Sequence, residues 1–236
     1  KIVREDEKVN LLPSGLEWVG QPFTTGDQIT YIHTLNALDV TQPIRYAFRV
    51  GARSSGYSTF TIDEHGQRLA TQGLAATDIG DYFSSQFVNT ILTPQQVPTF
   101  TDNRVSLKFG FTTASSDGNG YIDWYEIFYK QFLRAQSNSF NFHSHDTTAI
   151  AQYDVTGFAS TGLFVFDVSK FDSGVIVTGP RISGDTCSFG TELKAGRVKE
   201  FYAVGDAGFK SPQGLVRIAN QDLHSDTARA ANVIIV

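Results

Sequence analysis

Apolar and polar residues alternate one for one along several short stretches of the chain. IRYAFRV (44–50) sets Ile44, Tyr46, Phe48 and Val50 against Arg45, Ala47 and Arg49, the period-two signature of a strand with one buried face. GYSTFTI (56–62) follows across the turn-like cluster ARSSG, and VSLKFGF (105–111) sets Val105, Leu107, Phe109 and Phe111 against Ser106 and Lys108. IDWYEIFYKQF (122–132) is dense in aromatic and β-branched residues and lacks strong helix formers. Further short strands are predicted at 150–155 (IAQYDV), 162–168 (GLFVFDV), 174–178 (GVIVT), 198–204 (VKEFYAV) and 214–218 (GLVRI). The one candidate helix is TDIGDYFSSQFVN (77–89), in which Ile79, Tyr82, Phe83 and Phe87 keep rough helical spacing. Residues 63–103, with Pro94 and Pro98, show no strong strand pattern and read as a crossing between sheets.

Many short strands punctuated by Gly, Ser and Asp predict an all-β protein, a jelly-roll-type β-sandwich over 1–145 followed by a smaller β region over 146–219. SPQG (211–214) reads as an exposed loop near a boundary. The chain has 236 residues, 41% of them hydrophobic, with 19 Phe, 9 Tyr and 2 Trp, enough to build such cores. Charged residues make up 18% and the formal net charge is -5, so the balance favours neither nucleic acid nor an anionic membrane. No run approaches the roughly 18 apolar residues of a membrane-spanning helix, and no membrane insertion is expected. The chain begins at Lys1 and contains no Met, which reads as a processed or cut N-terminus. AANVIIV (230–236) stops inside a β-branched run and reads as the opening strand of a further domain.

SSDGNGYIDWYE (115–126) invites a calcium reading. The calcium-loop template places oxygen ligands at its first, third, fifth, ninth and twelfth positions and glycine at its sixth; Asp117, Asn119, Asp123, Glu126 and Gly120 fall in register, but Ser115 stands where the first carboxylate belongs. An EF-hand also needs flanking helices, and both flanks here are strand-like, so SSDGNG is read as a hairpin turn. A weaker calcium site on Asp117 and Asn119 stays open beside that reading.

Other constellations are less specific. HSHD (143–146) places His143 and His145 on one strand face with Asp146 nearby, a metal pair lacking an assignable third ligand. Cys187 is the only thiol, with His33, His65, His143, His145 and His224 as bases in principle, yet no flanking pattern joins them. No G-x-S-x-G elbow, phosphate loop or dinucleotide signature occurs. Asp123 and Glu126 resemble a glycosidase pair only as many carboxylates do by chance. Trp18 and Trp124, with Tyr125 and Tyr129, could stack on sugar rings if they line an open sheet face; the competing reading buries them.

Several stretches together resemble the gingipain-like cysteine peptidases and related surface proteins of Bacteroidetes exported by type IX secretion. GYIDWYEIFYKQF (120–132) looks like that family's aromatic-acidic strand, YDVTGFASTGLFVFDVSKF (153–171) is similar to its following strand pair, and EFYAVGDAGFKSP (200–212) with NQDLHSDTARAANVIIV (220–236) resembles its approach to the peptidase domain. The resemblance covers 105–236 and implies that 220–236 opens a caspase-like α/β domain downstream. It implies a non-catalytic accessory region without cofactor, since the family's catalytic His and Cys lie beyond this chain. It further implies a secreted or surface location, and as partners the downstream domain and a surface protein or glycan. A carbohydrate-binding β-sandwich module on Trp18 and Trp124 is the alternative.

Overall fold

The computed structural model describes residues 1–11, 17–80, 87–100, 102–159, 161–212, 214, 216 and 217. Its contacts divide the chain into two units, Lys1–Arg134 and Ala135–Val236.

The first unit contains β1 (Ile2–Glu5), β2 (Val9–Asn10), β3 (Trp18–Val19), β4 (Gln28–Thr34), β5 (Ile44–Arg53), β6 (Ser58–Glu64), β7 (Gln67–Leu74), β8 (Val88–Leu92), β9 (Gln95–Gln96), β10 (Arg104–Thr113) and β11 (Asn119–Phe128). One antiparallel sheet has the order β1-β11-β5-β8, with β9 also on β5, and the other β4-β10-β6-β7. Setting aside the β2–β3 ribbon and β9, the chain changes sheet at every connection except the β6–β7 hairpin. That alternation is the eight-strand double Greek key of a jelly roll, as the sequence predicts.

The alternating strands put their apolar faces toward one another. Tyr46, Phe48, Val50, Tyr125 and Ile127 from one sheet and Phe60, Ile62, Leu107, Phe109 and Phe111 from the other form a single buried cluster. Phe48 meets Phe109 edge-on at 5.6 Å between ring centroids. Close approach dictates one glycine here: a Cβ on Gly120 would lie 2.4 Å from the Phe111 ring, and Gly120 exchanges backbone hydrogen bonds of 2.8 and 2.9 Å with Phe23.

In β11 the register slips between Ile122 and Trp124, so Asp123 is an extra, bulged residue. Ile122 points into the core before the bulge; after it Tyr125 and Ile127 do so, three and five positions on. Without the bulge the parity of the strand would send Tyr125 outward.

Several expectations are corrected. The SSDGNG segment is not a hairpin turn: β10 and β11 lie in different sheets, so it carries the chain across the sandwich, and Phe111 and Ile122 enter the same core from opposite sides. The stretch 63–103 does cross between sheets, but it also holds β7, β8 and β9. β7 (QRLATQGL) escapes notice because it is an edge strand with a register slip opposite Ile62/Asp63, which blurs its alternation. The candidate helix 77–89 fails at its end, where Val88 and Asn89 begin a strand paired with Ala52 and Gly51; its residues 81–86 lie outside the described residues. GLVRI (214–218) is not a strand at its described positions 214, 216 and 217, and 220–236 lies outside the described residues.

The second unit contains β12 (Ser139–His143), β13 (Ala149–Val155), β14 (Leu163–Asp167), β15 (Val175–Ile176), β16 (Arg181–Ser183), β17 (Thr186–Leu193) and β18 (Glu200–Gly205). They form antiparallel sheets ordered β12-β18-β14-β15 and β13-β17-β16. The unit starts earlier than residue 146 because β12 pairs with β18. Phe142, Tyr153, Phe189 and Phe201 interlock inside it, with ring centroids 5.1 to 6.3 Å apart. Asp206–Gly208 is a single 3-10 turn, the only helical element among the described residues.

Candidate functional site

β11 lies between β1 and β5, so its outward residues occupy the middle of the sheet's outer face. Trp124 stands there opposite Glu5 of β1 and Arg49 of β5. Arg49 reaches two carboxylates: its Nη1 donates to Asp123 Oδ2, and its Nη2 to Glu17 Oε2 at 3.3 Å. The Asp123 side chain is only 8% exposed, against 24% for Arg49 and 33% for Glu17. The bulge explains this burial, because the extra residue sets its carboxylate against the neighbouring strand.

Glu17 precedes β3, which lies over β11. The Gly20 amide donates to the Ile122 carbonyl at 2.9 Å, and Val19 packs with Leu11 and Tyr121. With Val19 turned inward, Trp18 turns away from the sheet and is 43% exposed. Trp18 and Trp124 are therefore each the chain neighbour of a carboxylate bound by Arg49. Farther along the same face Lys1 Nζ pairs with Glu126 at 2.5 Å, and Lys1 and Arg45 stand over the Phe128 ring at 5.1 and 4.6 Å. The face thus sets aromatic rings among matched charges.

The other sequence-predicted residues fall elsewhere. Tyr125 is fully buried and Tyr129 half-buried against the core, so neither belongs to an open platform. Asp123 and Glu126 each hold their own cation. Asp117, in the sheet crossing, accepts from the Ser115 hydroxyl, from the Ser55 hydroxyl at 2.9 and 3.0 Å and from the Ser55 amide at 3.4 Å. These donors, Ser115 foremost, hold its carboxyl below the usual range. Asn119 opens β11 opposite Arg53, and neither flank of this loop is helical. Among the described residues no three His, Cys, Asp or Glu side chains gather as a metal site would require.

Cys187 is buried opposite Val155 and Ile182, and burial pushes its thiol pKa up, opposite to what a nucleophile needs. Three of the histidines have partners of their own. His33 Nε2 is hydrogen-bonded with the Tyr125 hydroxyl at 2.7 Å, His65 pairs with buried Glu64 and stacks on Phe100 at 4.5 Å, and His143 lies 3.7 Å from Glu200. His145 is exposed beyond the end of β12, and His224 lies outside the described residues. Sequence reasoning missed Arg49 and Glu17 as a unit; the only trace of Arg49 was its outward place in the IRYAFRV alternation.

No protein-family model matches the sequence, and no curated protein sequence matches it significantly. Among solved structures, dimeric latent PorU from Porphyromonas gingivalis is similar in fold, with a TM-score of 0.73 at 16% identity over 94% of this chain and 22% of that chain. A carbohydrate-binding module, CBM36 in complex with calcium and xylotriose, matches over 54% of this chain and 89% of its own at 10% identity and a TM-score of 0.32. The insecticidal delta-endotoxin Cry8Ea1 from Bacillus thuringiensis matches over 48% and 20% at 16% identity and a TM-score of 0.36. The last two likenesses are too loose to bear on function. The chain, which spans about a fifth of the length of PorU, shares the fold of that part of it.

Proposed function

We propose that this chain is the non-catalytic N-terminal accessory region of a secreted or surface-exposed gingipain-like protein of a type IX secretion system, and that it scaffolds the α/β domain following it. The observation that carries the reading is the fold shared with part of PorU over 94% of the chain, so that both units enter the likeness. The resemblance of 105–236 to gingipain-like proteins supports the same reading from the sequence side. On this reading the chain needs no cofactor, and its Arg49 face, with charges matched in place and Trp18 exposed, contacts the downstream domain or a surface protein.

The test is to express the downstream domain alone and to add this chain in trans. Association in size-exclusion chromatography, with a raised melting temperature of the downstream domain, is the expected result. A downstream domain that is equally stable alone and does not associate overturns the scaffold reading. Glycan-array binding lost in Trp18→Ala or Trp124→Ala would replace it with the carbohydrate-binding alternative.

A further inference from the structure

The sheet β13-β17-β16 of the second unit turns Tyr153, Val155, Cys187 and Phe189 inward and leaves its other face open. Register decides what stands on that open face. Gln152 and Asp154 of β13 lie opposite Gly190 and Ser188 of β17, and Ser188 lies opposite Arg181 of β16. Between them runs a groove of about 300 Å³, lined by Gln152, Gly179, Arg181, Ser183, Ser188 and Gly190. That size is at the lower end for small-ligand clefts.

Two features of the groove are not demanded by the fold. A strand interior disfavours glycine, yet a Cβ on Gly190 would meet only the Ala151 carbonyl oxygen at 3.8 Å, an ordinary contact. Packing therefore does not require the glycine; its missing side chain keeps the groove open. The second feature is Arg181, whose exposed side chain makes no ion pair or hydrogen bond among the described residues. The opposite wall is Gln152, and two residues along the same strand and face stands a carboxylate, Asp154. Asp154 accepts from Gln152 Nε2 at 3.1 and 3.4 Å and from Ser188, which hold its carboxyl below the usual range and therefore charged at neutral pH.

The groove thus has an open guanidinium on one wall and the Gln152 amide on the other, with the Asp154 carboxylate on the same face just beyond its lining, across Ser188 from Arg181. A neutral sugar would leave Arg181 unmatched. A simple inorganic anion would face Asp154 and use none of the acceptors. A pyranose carrying a carboxylate meets both sides: its carboxylate matches the guanidinium fork, its hydroxyls donate to the Gln152 amide oxygen and, at the rim, to Asp154, and its ring lies over the glycine floor.

The geometry points to a binding site for an acidic sugar, a uronic-acid residue of a glycan, with Arg181 taking the carboxylate and Asp154, Gln152 and Ser188 the hydroxyls. This site is separate from the tryptophan face and does not depend on the scaffold reading. Isothermal titration of the full chain with galacturonic and glucuronic acid trimers, and with maltotriose as neutral control, tests it. At least one uronate trimer is expected to bind, with maltotriose weaker by about tenfold or more, the scale of a charge-assisted bidentate contact. Arg181→Gln should weaken the uronate by a similar factor at unchanged melting temperature. Gly190→Val should block binding while leaving the melting temperature unchanged or higher, since valine suits a strand better than glycine. No saturable binding by either trimer, equal binding of maltotriose, or full affinity in Arg181→Gln overturns the proposal. Loss of binding in Trp18→Ala or Trp124→Ala also overturns it, by placing the glycan on the first unit.

Discussion

Replacing Arg49 by Met removes the cation from between Asp123 and Glu17 while keeping most of the side chain's length and its apolar stem. The Asp123 side chain, 8% exposed, would then keep a charge inside the sheet face without a counter-ion. Breaking a buried pair from one side costs ~3–5 kcal/mol; with Arg49 24% exposed, water can reach the site, and we expect about 2–4 kcal/mol. The Glu17 pair, longer at 3.3 Å and 33% exposed on the carboxylate side, contributes under ~1 kcal/mol of this. In Arg49→Met/Asp123→Asn no buried charge is stranded, Glu17 being 33% exposed, so the double variant should be more stable than the sum of the singles by at least ~1.5 kcal/mol. Urea unfolding followed by tryptophan fluorescence suits the measurement, because both tryptophans, Trp18 and Trp124, lie in the first unit and report on it alone. A cost below ~0.5 kcal/mol for Arg49→Met, or strict additivity of the two changes, would refute the argument.

Gly120→Ala should destabilise the first unit by ~1–3 kcal/mol, because its Cβ would press on the buried Phe111 ring; the same urea titration reads it. Cys187 should resist Ellman's reagent in the folded protein and react only as the second unit unfolds, and rapid native-state labelling would contradict its burial. Burial first, and Arg4 second, hold the His33 pKa below 6.5. The unfolded chain therefore binds that proton more readily, and the stabilisation is whole above about pH 6.5 and lost as pH falls through the lower folded value. Melting temperatures from pH 8 to 5 should show this slope, reduced in His33→Gln. Millimolar calcium should leave the melting temperature unchanged because the Asp117 carboxylate already accepts from two serine hydroxyls; a rise that disappears in Asp117→Ala would instead establish a cation site in the crossing.

What the sequence by itself determined is local. Side chains of an extended chain alternate between two faces whatever lies beside them, so IRYAFRV and VSLKFGF could be read as strands and their core residues named: Ile44, Tyr46, Phe48, Val50, Leu107, Phe109 and Phe111 are all buried. In β11 that rule could not separate Trp124 from Tyr125, both candidates for an open face as aromatic residues: one extra residue at Asp123 inverts the parity, so that Tyr125 joins the core and Trp124 does not. Only the tertiary structure decided which strands share a sheet, that SSDGNG crosses the sandwich rather than folding a hairpin, and that Arg49 meets Asp123, 74 residues away. Nor was the uncharged floor beside Arg181 visible, since Gly190 and Gln152 become neighbours only through pairing of β13 with β17. The physical reason is common to these cases. Periodicity records how one strand meets a core, whereas sheet partners, register and bulges depend on long-range contacts whose energies no local stretch encodes.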